Sequence, residues 1–104
     1  MTTTQIAITA QIRPGKREEL ARVLAAGPPF DLAAQGFTRH QAFLGERTVV
    51  FVFEGSRALG HVRDLSRSLP MRELTRMGML IQSPQMLTES FEWMPVETPH
   101  AEPA

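Results

Sequence analysis

The chain contains no cysteine among its 104 residues. This absence excludes disulfides, thiolate metal sites, iron–sulfur clusters and cysteine nucleophiles together. An excess of one charge is also lacking, because 11 Lys and Arg residues are balanced by 11 Asp and Glu residues. Zero net charge argues against a nucleic-acid binder and against a polybasic membrane-surface protein, both of which need a basic surface. It also leaves no long-range repulsion between copies of the chain, so it permits self-association.

Long apolar runs and targeting signals are missing as well. No stretch approaches the roughly 18 apolar residues that a membrane-spanning helix needs. Residues 1–5 have neither the basic segment nor the apolar segment of a secretory signal, so we expect a cytoplasmic location. The length predicts one domain, which we place at residues 1–94. The proline-rich residues 95–104 are predicted to form an extended or disordered tail.

Period-two patterns predict the strands. In residues 3–12, isoleucines and an alanine alternate with polar side chains, which is typical of a strand with one buried face. Residues 37–44 and 47–54 are predicted to pair as a hairpin across Gly45-Glu46, and residues 85–93 to form the last strand. The continuous apolar run within residues 47–54 predicts a strand that is buried on both faces.

Residues that typically begin or end helices predict where the helices lie. Pro14 is expected to open a helix over residues 16–26, which Gly27 and two prolines end. Ser56 is the expected N-cap of a second helix. Ser68-Leu69-Pro70 interrupts this segment, and a further short helix is predicted to run to Leu80.

The resulting order, β-α-β-β-α(α)-β, predicts an α+β fold of the ferredoxin-like type. In this arrangement a four-stranded antiparallel sheet carries its helices on one face, and the first and third strands are central. The other face would then expose Val50 and Val52, and exposed apolar patches of this kind are uncommon in monomers. We therefore expect a homodimer that packs sheet against sheet. The alternative is a monomer in which the tail or long polar side chains shield these valines.

One hairpin carries a resemblance to a known family. The segment His40-Gln41-Ala42-Phe43-Leu44-Gly45, followed by Thr48-Val49-Val50-Phe51-Val52-Phe53-Glu54-Gly55, is similar to the second and third strands of the dimeric α/β-barrel superfamily. That superfamily includes small cofactor-free antibiotic-biosynthesis monooxygenases and aromatic polyketide cyclases. The resemblance implies a barrel built from two chains, no cofactor, and oxygenation or cyclisation of an aromatic or polyketide-like substrate. No catalytic motif of the family matches position by position, so no residue role is taken from it.

Two histidines are the candidate catalytic residues. His40 lies on the second predicted strand, and His61 lies beside the inward stripe of the second predicted helix. An imidazole titrates near neutrality, so either ring is suited to act as a general base. The alternatives are an edge-strand histidine with one side in water at position 40 and a partly exposed helix residue at position 61. The two histidines lack the spacing of metal ligands, and we predict no metal site.

Other side chains are candidates for holding a ligand, namely Arg39, Phe51, Glu54, Met77 and Trp93. Glu54 ends a strand, and two roles are open to its carboxylate: action at a pocket mouth, or a cross-strand ion pair with Arg39. Met77 has the spacing of a core residue, although methionine also suits adaptable pockets. Trp93 is large enough to line a pocket or to anchor a dimer contact.

These candidates lead to two hypotheses on function. The first is a homodimer that binds an apolar or aromatic small molecule in a cleft between helices and sheet, with monooxygenase or cyclase activity implied by the resemblance. The second is a non-catalytic dimeric accessory or sensing module, since the sequence offers no convergent acid, base and nucleophile.

Overall fold

A computed structural model describes residues 4–96 of the chain. Its elements, in chain order, are β1 (Thr4–Ile12), α1 (Arg17–Ala25), β2 (Arg39–Leu44), β3 (Thr48–Gly55), α2 (Ala58–Ser68), α3 (Met71–Leu80) and β4 (Ile81–Leu87). The strands form one sheet in the order β2-β3-β1-β4, and every neighbouring pair is antiparallel. The predicted α+β, ferredoxin-like arrangement is confirmed, with β1 and β3 at the centre.

Strand alternation divides the sheet into two unlike faces. In β1, Ile6, Ala10 and Ile12 are buried toward the helices, whereas Gln5 and Gln11 are exposed on the other side. The strand registers extend this division across the sheet. The face away from the helices, called the open face below, carries Gln5, Ala7, Thr9, Gln11, Arg39, Gln41, Phe43, Thr48, Val50, Val52, Glu54, Gln82, Gln85 and Leu87.

The helices cover the other face through two apolar clusters. The first packs α2 onto the sheet and contains Ile6, Phe37, Phe53, Ala58, Val62 and Leu65. The second packs α1 and α3 onto the opposite end and contains Ala10, Ile12, Leu20, Val49 and Leu80. Phe51 contacts both clusters and links them.

The last strand differs from its prediction. It spans Ile81–Leu87 and not residues 85–93, and it follows α3 without a connecting loop. Ser83 and Pro84, whose sequence resembles a turn, lie inside the strand as a bulge beside Ala10, and Ser83 has φ 54°. A bulge absorbs a positive φ and a proline without ending the pairing, which explains the error.

Helix starts also differ from the sequence-based prediction. Arg57, and not Ser56, is the N-cap residue of α2, and it makes no side-chain capping bond. The cap comes from another element, because the Ala58 backbone N–H donates to Oγ1 of Thr4 over 3.2 Å. The same Thr4 hydroxyl donates to the carbonyl of Gly55 over 2.9 Å, so β1 fixes the end of β3 and the start of α2 together.

Beyond β4 the chain is described as far as Val96. Residues 88–96 form neither helix nor strand. Most of the predicted tail, residues 97–104 with His100, lies outside the described residues. Among the helices of residues 4–96, none has the length and apolar character needed to cross a membrane.

Candidate functional site

The side chain of His40 lies on the helix-covered face of the sheet. Its strand partner is Phe53, and the two rings stack with their centroids 4.1 Å apart and 17° between their planes. Phe51 lies 6.2 Å away, also stacked. β2 is an edge strand of the sheet, and the His40 ring is half-buried, with one side against aromatic neighbours.

Hydrogen bonding defines the tautomer of His40. Its Nδ1 lies 3.0 Å from the backbone carbonyl oxygen of Val52. A carbonyl oxygen only accepts hydrogen bonds, so Nδ1 carries the proton and donates. Burial lowers the pKa of His40, and the bond to Val52 opposes this effect. The ring is therefore neutral at pH 7, and its Nε2 keeps a lone pair that can accept a hydrogen bond or a proton.

Further aromatic rings surround this imidazole. Phe30, in the connector between α1 and β2, has its ring 6.0 Å from that of His40 and 6.3 Å from that of Phe37. Phe37 packs against Phe53 at 4.9 Å. The result is a half-buried imidazole packed among phenylalanine rings, and neither of the two depressions described below is lined by it.

The second candidate, His61, lies on α2 and approaches the same aromatic group. Its ring meets Phe37 edge-on at 6.0 Å and packs directly over Gly36. Its Nδ1 is shielded from solvent and has no hydrogen-bond partner among residues 4–96. A side chain on residue 36 would occupy the space of the imidazole. These contacts describe a packing role for His61 between α2 and the connector.

Arg39 and Glu54 lie on the open face, on the opposite side of the sheet from His40. The Arg39 guanidinium is 3.8 Å from the Glu54 carboxylate, and Nε2 of Gln5 donates to the same carboxylate over 2.9 Å. Glu54 borders a depression of about 310 Å³ that is also lined by Thr88, Ser90 and Glu92. The cross-strand ion pair considered from the sequence is therefore present, and neither residue shares a face with His40.

The remaining candidates are dispersed. Phe51 lies beside His40, whereas Met77 packs against the second cluster with Leu20 and Leu80. Trp93 is 83% exposed, beyond the end of β4. The structure thus brings together His40, Phe51 and, through Phe37, His61.

Sequence reasoning missed Phe30 and Phe37 as neighbours of His40. Phe30 lies in the connector between α1 and β2. Phe37, which the sequence placed at the start of the second strand, also lies in this connector, because β2 begins only at Arg39. Their signal was the presence of large aromatic residues in a segment rich in glycine and proline, where solvent-exposed loops usually carry small polar side chains.

A second depression, of about 700 Å³, lies at the far end of the open face. Three guanidinium groups, of Arg13, Arg17 and Arg47, line it against one carboxylate, that of Glu46. The Nε atom of Arg13 donates to the carbonyl of Gly78, and that of Arg17 donates to the carbonyl of Gly45, both over 2.8 Å. This end of the face is therefore basic. Within residues 4–96 no three histidine or carboxylate side chains group as a metal site.

Comparison with known proteins gives a likeness in fold alone. No protein-family model matches the chain, and no curated protein matches it significantly. Among solved structures, protein SO0527 from Shewanella oneidensis is similar, with a TM-score of 0.56 and 22% sequence identity. The match covers 81% of this chain and 87% of that protein. A likeness at this identity supports the ferredoxin-like fold and carries no function with it.

Proposed function

We propose that the protein is a homodimer that binds an apolar or aromatic small molecule, with the neutral imidazole of His40 as the polar group of the site. The observation that carries this proposal is the arrangement of His40. Its Nδ1 is committed to the Val52 carbonyl, and Phe30, Phe51 and Phe53 surround its ring. Such a ring offers one hydrogen-bond acceptor, Nε2, in an otherwise apolar environment.

The open face supports the dimer. Phe43 is 56% exposed and Leu87 is 42% exposed on this face, and Val50 and Val52 are only half-buried between them. Apolar side chains on two edge strands and a central strand form a patch that a second copy of the chain can cover. Zero net charge imposes no repulsion on that pairing.

The chemistry of Nε2 narrows the ligand class. A neutral Nε2 accepts a hydrogen bond from a hydroxyl group, and it can take the proton of an acidic phenol to give an imidazolium and a phenolate. The ligands that suit it are hydroxylated aromatic compounds. This class agrees with the aromatic or polyketide-like substrates implied by the resemblance of the hairpin.

Titration with 1-naphthol, followed by NMR of the imidazole signals, tests the ligand site. We expect 1-naphthol to shift the His40 signals and to bind two- to tenfold more weakly to the His40→Phe variant, which loses one hydrogen bond. Naphthalene, which has no hydroxyl, should bind both proteins equally. Equal binding of 1-naphthol to the wild-type protein and to His40→Phe, or no binding at all, would contradict the proposal.

A non-catalytic accessory or sensing dimer is the second candidate. The observation in its favour is that Arg39 and Glu54 lie on the other face of the sheet, so no charged side chain of this pair can assist His40. Under this alternative the aromatic group around His40 is only core, and 1-naphthol leaves the His40 signals unchanged.

A further inference from the structure

The segment after β4 is unusual for a small domain. Residues 88–96, called the C-terminal arm below, pair with no strand of the described chain, yet they carry Phe91, Trp93, Met94 and Val96. All four side chains are at least 70% exposed. So much apolar surface on one short segment marks a contact with another surface.

The arm has two unlike sides. The rings of Phe91 and Trp93 stack with centroids 6.2 Å apart, so both lie on one side of the arm. Thr88, Ser90 and Glu92 line the depression beside Gln5 and Glu54 on the other side. Aromatic residues presented side by side in this way are the usual anchors of protein interfaces.

The arm is long enough to span the open face of a second copy. The sheet is about 19 Å wide, because its four strands lie about 4.8 Å apart. An extended arm of nine residues reaches about 30 Å at roughly 3.3 Å per residue. Two exchanged arms would therefore cross the sheets and add contact area to the interface.

Charge indicates where the arm goes. It contains Glu89 and Glu92 and no basic residue. It leaves the sheet at the end that holds Glu54, whereas Arg13, Arg17 and Arg47 line the far end of the open face. In a dimer whose two-fold axis lies across the strands, the Glu54 end of one sheet faces the arginine end of the other. The acidic arm then lies near the partner's arginines, which brings opposite charges together.

We propose that the C-terminal arm of each subunit crosses the interface and lies on the open face of a second copy of the chain. Phe91 and Trp93 then pack near Phe43, Val50 and Val52 of the partner. This inference rests on the proposed homodimer and adds the exchange of arms to it.

A paramagnetic label distinguishes exchange from a contact within one chain. Because the chain has no cysteine, the Pro95→Cys variant offers a single thiol for a nitroxide spin label. Labelled, isotopically unenriched protein is mixed with ¹⁵N-enriched wild-type protein, so that only effects between subunits are detected. We expect strong broadening of the amide signals of Val50, Val52 and Phe43, which disappears when the nitroxide is reduced.

The outcomes separate the two proposals. A dimer by sedimentation without this broadening would overturn the arm exchange and leave the dimer standing. A monomer at every concentration would overturn both. A second sample, in which the ¹⁵N-enriched protein itself carries the label, detects contacts within one chain. Broadening in that sample but not in the mixture would mean that the arm covers its own sheet, which also contradicts the exchange.

Dissociation constants give an independent test. The Phe91→Ser, Trp93→Ser double variant should weaken dimerisation by several hundredfold, since the loss of one interface anchor of this type corresponds to about thirtyfold or more. Both residues are exposed in the single chain, so the domain itself stays folded. The control is Met79→Ser, which changes an exposed apolar side chain on α3 and should leave the dissociation constant unchanged. An unchanged constant in the double variant would contradict the proposal.

Discussion

At the scale of single residues, position 36 has two requirements that only glycine meets. Its φ is +87°, a left-handed conformation that side chains with a Cβ adopt only with strain. The His61 imidazole also fills the space where a Cβ would lie. Close packing thus holds the buried Nδ1 of His61, which has no hydrogen-bond partner in the described part of the chain.

A double-mutant cycle tests this packing. Gly36→Ala should lower the free energy of unfolding by about 2–4 kcal/mol, from backbone strain and overpacking together. In a His61→Ala background only the backbone part remains, so the loss should fall by about half. Gly60→Ala is the control, because Gly60 lies in α2 with open space around it, and this change should stabilise the protein by about 0.5–1 kcal/mol. Urea denaturation measures all four changes, and equal losses in both backgrounds would contradict the account.

His40 links stability to pH. Burial lowers its pKa below the ordinary value of 6.5, so the unfolded chain binds more protons than the folded protein between these two pKa values. The free energy of unfolding therefore rises with pH across that window and is reduced below it. His40→Gln should remove this part of the slope, whereas Gln41→Ala on the same strand should keep it. Urea titrations across the window measure the slopes, and identical slopes for His40→Gln and the wild-type protein would contradict the pKa direction.

The sequence identified His40 as a candidate site residue, but it did not indicate the tautomer or the contacts of the imidazole. The alternation of β2 can be recognised in the sequence. The contacts of the imidazole with Phe53 and with the Val52 carbonyl, however, depend on where β2 begins and on its register with β3. Arg39, one residue earlier, falls on the other face by the same alternation. Tautomer and partners depend on this register, which the hairpin pattern alone does not specify.

At the scale of elements, β4 shows how a local signal can mislead. Ser-Pro normally marks a turn, and the alternation of residues 85–93 then suggested a strand after it. The structure instead pairs Ile81 with Ile12 and absorbs the irregularity as a bulge at Ser83. The strands and helices with strong apolar periods, such as β1, β3 and α2, were predicted within a few residues because their patterns reflect burial directly.

The bulge restricts which residue types fit at position 83. A β-branched residue at φ 54° is strongly disfavoured, so Ser83→Val should lower the free energy of unfolding by about 1–3 kcal/mol. Ser83→Gly should be neutral or slightly stabilising, because glycine adopts this conformation without strain. Thermal or urea denaturation measures both variants. A Val variant as stable as the Gly variant would show that the strand pairs without the bulge.

At the scale of the whole molecule, the sheet has one covered face and one uncovered face. The two apolar clusters stabilise the covered face. On the other face, apolar side chains lie in the middle, with an ion pair at one end and arginines at the other. The sequence predicted that Val50 and Val52 would be buried, and in the single chain they are only half-buried. A second copy is the partner that completes their burial in our account.

Sedimentation equilibrium at micromolar concentration tests this central claim most directly. We predict a species of twice the 11.6 kDa chain mass for the wild-type protein. Phe43→Asp, a change at an exposed position of the open face, should reduce the mass to that of a single chain, and Met79→Asp on α3 should not. A wild-type mass of 11.6 kDa at all concentrations, or a dimer that is indifferent to Phe43→Asp, would contradict a homodimer formed through the open face.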